Sequence, residues 1–157
     1  MSARAPVSPE QQVQEDLMRL DAYRNQLNQL LQQHQLLSAS RTDHDRARET
    51  LEGLDRIEPT REIVIPLGAE TYLRGTAATG QPVLLGLGSG VVAEVDRAKA
   101  VEVLHERLTR LDEAGRELDG QIRTLEERIE ILSQRIESMS RGASGVEDDN
   151  LSDVGGD

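Results

Sequence analysis

Gly86-Leu87-Gly88-Ser89-Gly90 is a stretch whose residue types could do chemistry, because glycines at this spacing can cradle the phosphates of a dinucleotide. That chemistry needs the glycine turn to open directly into a helix whose N-terminal N–H groups hold the phosphates. Here the β-branched pair Val91-Val92 follows, so the glycines read as a hairpin turn. Asp148-Asp149-Asn150-Leu151-Ser152-Asp153 resembles the start of a calcium loop. Asp153 stands where that loop needs glycine, and the sequence stops before a twelfth ligand, so this reads as an acidic run. His34, His44 and His105 have no neighbour at metal-ligand spacing, and Glu126 with Glu127 reads as a solvated helix face. Nothing offers a nucleophile, a base and its orienter. The expectation is no catalytic site, no metal and no cofactor, in a protein that is not an enzyme.

What remains is the chemistry of apolar surface. Val13, Leu17, Met18 and Leu20 lie near one end of the chain, and Ile129, Leu132, Ile136 and Met139 near the other. Long helices must position them. From Asp96 to Met139 one column of heptad positions reads Leu104, Leu111, Leu118, Leu125, Leu132, Met139. The other reads Val101, Leu108, Gly115, Ile122, Ile129, Ile136, so eleven of twelve positions are apolar. Alternating steps of 3 and 4 keep one seam facing one partner, which is the period of a coiled coil. Asp96 is a candidate N-cap. At 1.5 Å per residue such a helix is roughly 65 Å long and needs a partner of matching length.

That partner is expected over residues 11–57. Its seam starts at Val13, Leu17 and Leu20 and continues through Arg24, Leu27, Leu31 and His34. A second register through Leu30, Leu37, His44, Leu51 and Leu54 then takes over, which predicts a slip near Leu30 and Leu31. The eight glutamines between Gln11 and Gln35 read as helix formers on wetted faces. Equal helices joined by an insert predict an antiparallel pair, with both chain ends at the open end. Residues there can be exposed by fraying and bind apolar surface on another molecule. They can equally pack against each other like the rest of the seam.

The insert, residues 61–95, changes character. Ile63-Val64-Ile65 stops at Pro66-Leu67-Gly68, Tyr72-Leu73-Arg74 stops at Gly75, and Val83 to Leu87 turns at Gly88-Ser89-Gly90 into Val91 to Val95. Four short strands with turn residues between them predict two β-hairpins. Val83, Leu85 and Leu87 share a face with Val91, Ala93 and Val95 on the facing strand. The uncharged stretch from Gly75 to Ala93 holds five glycines and Pro82, which excludes a membrane-spanning helix. Hairpins this short are marginal alone. With both helices facing each other, nothing else in one copy is expected to cover them, so other subunits must complete the sheet. Residues 1–10 are expected to form a loose arm, and residues 141–157 a disordered acidic tail.

Composition agrees with narrow seams rather than a deep core, since the 157 residues include no Phe, Trp or Cys and two Tyr. A net charge of −11 repels nucleic acid and anionic lipid, so neither is an expected partner. Lack of cysteine and of a signal-peptide pattern points to a cytoplasmic protein. Lys99 is the single lysine. Acidic excess with almost no lysine resembles proteins of salt-accumulating archaea, although a GC-rich genome that favours arginine codons gives the same composition.

The insert carries a resemblance. Ile65-Pro66-Leu67-Gly68, Tyr72-Leu73-Arg74-Gly75, the run Val83-Leu84-Leu85-Gly86-Leu87-Gly88-Ser89-Gly90-Val91 with Glu94, and Ala98 with Ala100 resemble prefoldin, specifically its archaeal alpha-type subunit. Two hairpins rather than one distinguish that type from the beta type. Val95 in place of a frequent lysine, the slipped register of helix 1 and the acidic tail depart from the pattern. The resemblance implies an α+β fold: a long antiparallel two-helix coiled coil over residues 11–57 and 96–140, with two β-hairpins inserted between the helices that form an oligomeric β-barrel.

It further implies a hexamer of two alpha and four beta-type subunits, assembled through Ile63, Ile65, Pro66, Leu67, Gly68, Tyr72, Val83, Leu85, Leu87, Gly88, Gly90 and Val91. Such a complex holds unfolded client proteins at the coil tips without ATP and passes them to the group II chaperonin. The tip residues Val13, Leu17, Met18, Leu20, Ile129, Leu132, Ile136 and Met139 would then be the client site. A structural coiled-coil adaptor with one fixed partner is the competing reading.

Overall fold

The computed structural model describes residues 8–147, with side chains up to Gly142. Its elements run in the order α1 (Pro9–Gly53), a 3-10 turn (Leu54–Arg56), β1 (Glu62–Gly68), β2 (Thr71–Thr76), β3 (Val83–Gly88), β4 (Val91–Val95) and α2 (Arg97–Glu147). Two compact units share them. Among the described residues, one joins the part of α1 up to Gln35 with the part of α2 from Arg116, and the other is Leu36–Gly115.

Helix α1 begins two residues before the expected boundary. Ser8 Oγ accepts from the Gln11 N–H at 3.3 Å while the Ser8 N–H donates to Gln11 Oε1 at 3.2 Å. This reciprocal pair satisfies two of the N–H groups orphaned at a helix start, and Pro9 occupies the first helical position, where its missing N–H is no loss. The arm expected over residues 1–10 is therefore helical from Pro9, and residues 1–7 lie outside the described part. At the other end the α-helix stops at Gly53, not residue 57, and tightens into one 3-10 turn in which Ile57 donates to the Leu54 carbonyl. Helix α2 follows Asp96, whose carbonyl accepts the first intrahelical bond from Ala100.

Helix α2 also corrects an expected boundary: it passes Ser140 and continues to Glu147, into the segment expected to be disordered. Gly142 and Gly145 each weaken a helix by about 1 kcal/mol relative to alanine, but no proline stops the run, and Arg141 pairs with Glu137 one turn back at 3.5 Å. Residues 148–157, with the acidic calcium-like run, lie outside the described part.

The predicted slip in α1 is absent. The sequestered positions up to Leu37 are Val13, Asp16, Leu20, Tyr23, Leu27, Leu30, His34 and Leu37, and beyond it Ser40, His44, Asp45, Arg48, Leu51 and Gly53 are half-buried. Asp16 and Tyr23 fill the places that apolar spacing assigned to Leu17 and Arg24, so the steps of 3 and 4 pass Leu30 and Leu31 without a shift. Leu17 and Leu31 consequently face solvent. All twelve heptad positions of α2 are buried or half-buried, as their period requires.

In the unit Leu36–Gly115 the helices pair antiparallel. Arg41 Nε donates to Asp112 Oδ1 at 2.5 Å, and Arg97 pairs with Asp55. The hydrogen bond to Asp112, with their charge attraction, holds the Arg41 pKa above its ordinary value. Gly115 sits in the seam where an added Cβ would lie 3.6 Å from Leu37, so the glycine leaves room for that leucine. In the other unit, His34 Nε2 lies 3.1 Å from Asp119 Oδ1 and Arg135 reaches Asp16, again an antiparallel order.

Both hairpins are two-stranded and antiparallel. Ala69 and Glu70 (φ 48° and 57°) turn β1 into β2, and Ser89 and Gly90 (φ 50° and 78°) turn β3 into β4. Positive φ at both loop residues matches the right-handed twist of the flanking strands. Strand β1 does not stop at Pro66. It continues to Gly68 with a register shift between the two, the kind of irregularity at which a residue lacking an N–H is tolerated in a strand.

Candidate functional site

Two surfaces bear the residues singled out by sequence, one in each unit. On the hairpins, strand alternation divides the side chains into faces. Ile63 and Ile65 of β1 lie opposite Gly75 and Leu73 of β2, which makes one apolar face. Ile63 is half-buried there, while Ile65 and Leu73 are exposed. The Ile65 side chain reaches over Gly75, where a Cβ would come within 3.3 Å of it. Pro66, Leu67, Gly68 and Tyr72 are exposed.

The second hairpin corrects one expectation. Leu85 is 7% exposed, and Val83, Ala93 and Val95 around it are half-buried, within a single chain. Arg107 of α2 donates to the Gly86 carbonyl at 2.6 Å, and Arg97 donates to the Thr79 carbonyl at 3.3 Å. The chain therefore covers one face of this hairpin itself, and two α2 arginines tether the strand and its approach segment. What stays exposed is the other face, Leu84 and Val92, together with Leu87, Gly88, Gly90 and Val91 near the turn. Alternation along β3 puts Leu84 on the face opposite Val83 and Leu85. Sequence alone did not say which face the chain covers.

In the unit of α1 up to Gln35 and α2 from Arg116, the eight coil residues divide. Leu20 and Leu132 are buried, and Val13, Ile129, Ile136 and Met139 are half-buried in the seam. Leu17 and Met18 are exposed, Met18 at 62%. Sequence reasoning missed Ile131, which is 68% exposed and off the seam. Its signal was an isoleucine between the two heptad columns of α2.

It also missed Asp16, which is 1% exposed among the seam residues. Arg135 Nε stands 3.1 Å from Asp16 Oδ2, an ion-pair distance, and Arg19 Nη1 stands 4.0 Å from Oδ1. The alignment to Arg135 is not that of a hydrogen bond, and no group among the described residues hydrogen-bonds Oδ2. Spacing alone carried no signal for Asp16, since Val13, Asp16, Leu20 and Val13, Leu17, Leu20 both alternate steps of 3 and 4. Farther along this unit, Gln26, Leu30, Gly120, Gln121 and Leu125 line an open groove of about 480 Å³.

The residues considered for other chemistry sit elsewhere. Gly86 to Gly90 belong to β3, its turn and the approach to β4, with no helix following. His44 Nδ1 is 2.7 Å from the Ser40 carbonyl, and His105 is exposed. Among the described residues no group of three or more His, Cys, Asp or Glu could hold a metal ion, and no helix is long and apolar enough to cross a membrane.

Comparison with known proteins agrees with this architecture. The prefoldin subunit family model matches residues 23–142. The prefoldin subunit alpha of Methanopyrus kandleri is 30% identical over 112 residues, 69% of this chain and 71% of that protein. The corresponding subunit of Pyrococcus horikoshii is 33% identical over 94 residues, 59% of this chain and 64% of the relative. Among solved structures, filamentous prefoldin from Methanocaldococcus jannaschii superposes with a TM-score of 0.63 at 20% identity, covering 74% of this chain and 97% of that one. The prefoldin beta subunit of Thermococcus strain KS-1 gives 0.55 at 21%, covering 86% and 96%. Two helices flanking two hairpins, a family model spanning most of the chain and alpha-type relatives lead to one conclusion: the chain belongs to the prefoldin subunit family, a family of chaperone subunits.

Proposed function

We propose that this chain works as the alpha-type subunit of a prefoldin holdase. Its hairpins join those of beta-type subunits in a hexamer of two alpha and four beta chains. The coil end at Val13, Leu17, Met18, Leu20, Ile129, Leu132, Ile136 and Met139 captures unfolded proteins without ATP, and the complex passes them to a group II chaperonin. The observation that carries this reading is the pair of two-stranded hairpins with exposed apolar residues, set between paired helices in a chain of this family. Short hairpins with open edges and uncovered apolar side chains gain stability by completing a sheet with another copy or partner.

Exposed Leu17 and Met18 support capture at the coil end, because a flexible thioether beside a leucine can adapt to many apolar segments. The test is light scattering from several unrelated denatured proteins diluted into the assembled complex with no nucleotide present. Suppression of aggregation for all of them is the expected result. Protection of none, or of one alone, overturns the holdase reading and favours an adaptor with a fixed partner.

A further inference from the structure

Asp16 is the anomaly of the coil. Every other α1 seam position in its neighbourhood, Val13, Leu20 and Tyr23, puts a carbon-rich side chain toward α2, and Leu132, Ile136 and Met139 do the same from the other helix. Asp16 instead places a carboxylate, 1% exposed, at this end of the coil. Its partner Arg135 keeps 45% of its side chain in solvent at 3.1 Å, and Arg19 stands at 4.0 Å with 62% exposed. No described group hydrogen-bonds Oδ2.

A buried carboxylate loses its hydration, and attraction to a cation offsets that loss only when geometry and hydrogen bonding are complete. Here they are not. When the two helices part at this level, Asp16 and Arg135 both regain water, which offsets part of the cost of wetting their apolar neighbours. A leucine in the same place would have no such compensation, and opening would be opposed by the whole apolar seam.

We propose that the Asp16–Arg135 pair is a built-in weak latch: it lets this end of the coil separate and so turns sequestered Leu20, Leu132, Ile136 and Met139 into a surface for the apolar segments of an unfolded polypeptide. Leu17, Met18 and Ile131 are exposed with the latch closed and make the first contact; opening adds the seam residues to it. The charged pair thus governs how much apolar surface is available, without itself touching an apolar segment. This inference rests on capture at the coil end as proposed above.

The test uses the full chain assembled with its beta-type partner subunit. Asp16→Leu combined with Arg135→Met replaces the pair by apolar groups of similar size. Amide hydrogen exchange across residues 13–20 and 132–139 is expected to slow about tenfold, equivalent to about 1.4 kcal/mol of added resistance to opening. Aggregation suppression is expected to fall several-fold at unchanged complex mass. Asp16→Asn, which keeps a polar group in the seam, is expected to retain most protection. Three results overturn the latch: unchanged exchange in the apolar double variant, slowed exchange with full protection, or loss of protection in Asp16→Asn as complete as in that variant. Serine at Ile129, Leu132, Ile136 and Met139 separates the two levels. Protection lost there but kept in the apolar double variant removes the latch alone, whereas protection kept in both removes capture at the coil end as well.

Discussion

Single side chains in this chain differ sharply in what they hold up. Leu125, 4% exposed in the seam, should cost about 2–4 kcal/mol when truncated to alanine, the range for a buried leucine that leaves a cavity. Ile131→Ser, on the exposed face, should stay within about 0.5 kcal/mol. Urea unfolding of both variants checks this, and equal losses would mean that Ile131 packs against a part of the coil. These two residues also show what sequence could deliver. The heptad columns placed Leu125 correctly because its neighbours at 3 and 4 are also apolar. Asp16 escaped because a hydrophobic pattern assigns an acidic residue to solvent, and only packing against the partner helix reveals that it lies in the seam.

At the scale of elements, the order helix, two hairpins, helix was legible because glycine and proline punctuate the insert while both helices lack proline after the first turn. Boundaries were less legible. Ser8 and Gln11 form a capping box whose pattern is present in the sequence, yet Pro9 between them suggested a loose arm. Ser8→Ala should cost about 1 kcal/mol of local helix stability, read as faster amide exchange over the first turns of α1 and unchanged exchange in α2. Which hairpin face the chain covers was not legible at all, because both faces of β3 are apolar: Val83 and Leu85 on one, Leu84 on the other.

The covered face decides how assembly should be probed. Aspartate at Leu85 places a charge in a site the chain already buries, so it should unfold the hairpin itself. Aspartate at Leu84 and Val92 acts on residues that are 72% and 58% exposed, so it should abolish association while circular dichroism of the single chain stays unchanged. Assembly that survives the Leu84 and Val92 substitutions would place the interface on other strand residues, Ile65 and Leu73 foremost.

For the whole molecule, charge and oligomerisation govern behaviour. Eleven excess negative charges repel one another, and at molar salt the screening length falls to about 3 Å. The thermal midpoint should therefore rise between low and molar potassium chloride, and a flat or falling midpoint would mean that local ion pairs such as Arg41–Asp112 outweigh the net repulsion. The central claim is a division of labour, with hairpins for assembly and the coil end for capture. Its most direct test is native mass measured beside aggregation suppression for the variant with serine at Ile129, Leu132, Ile136 and Met139. An unchanged hexamer mass with most protection lost is the expected result; an unchanged mass with protection equal to the parent would contradict it.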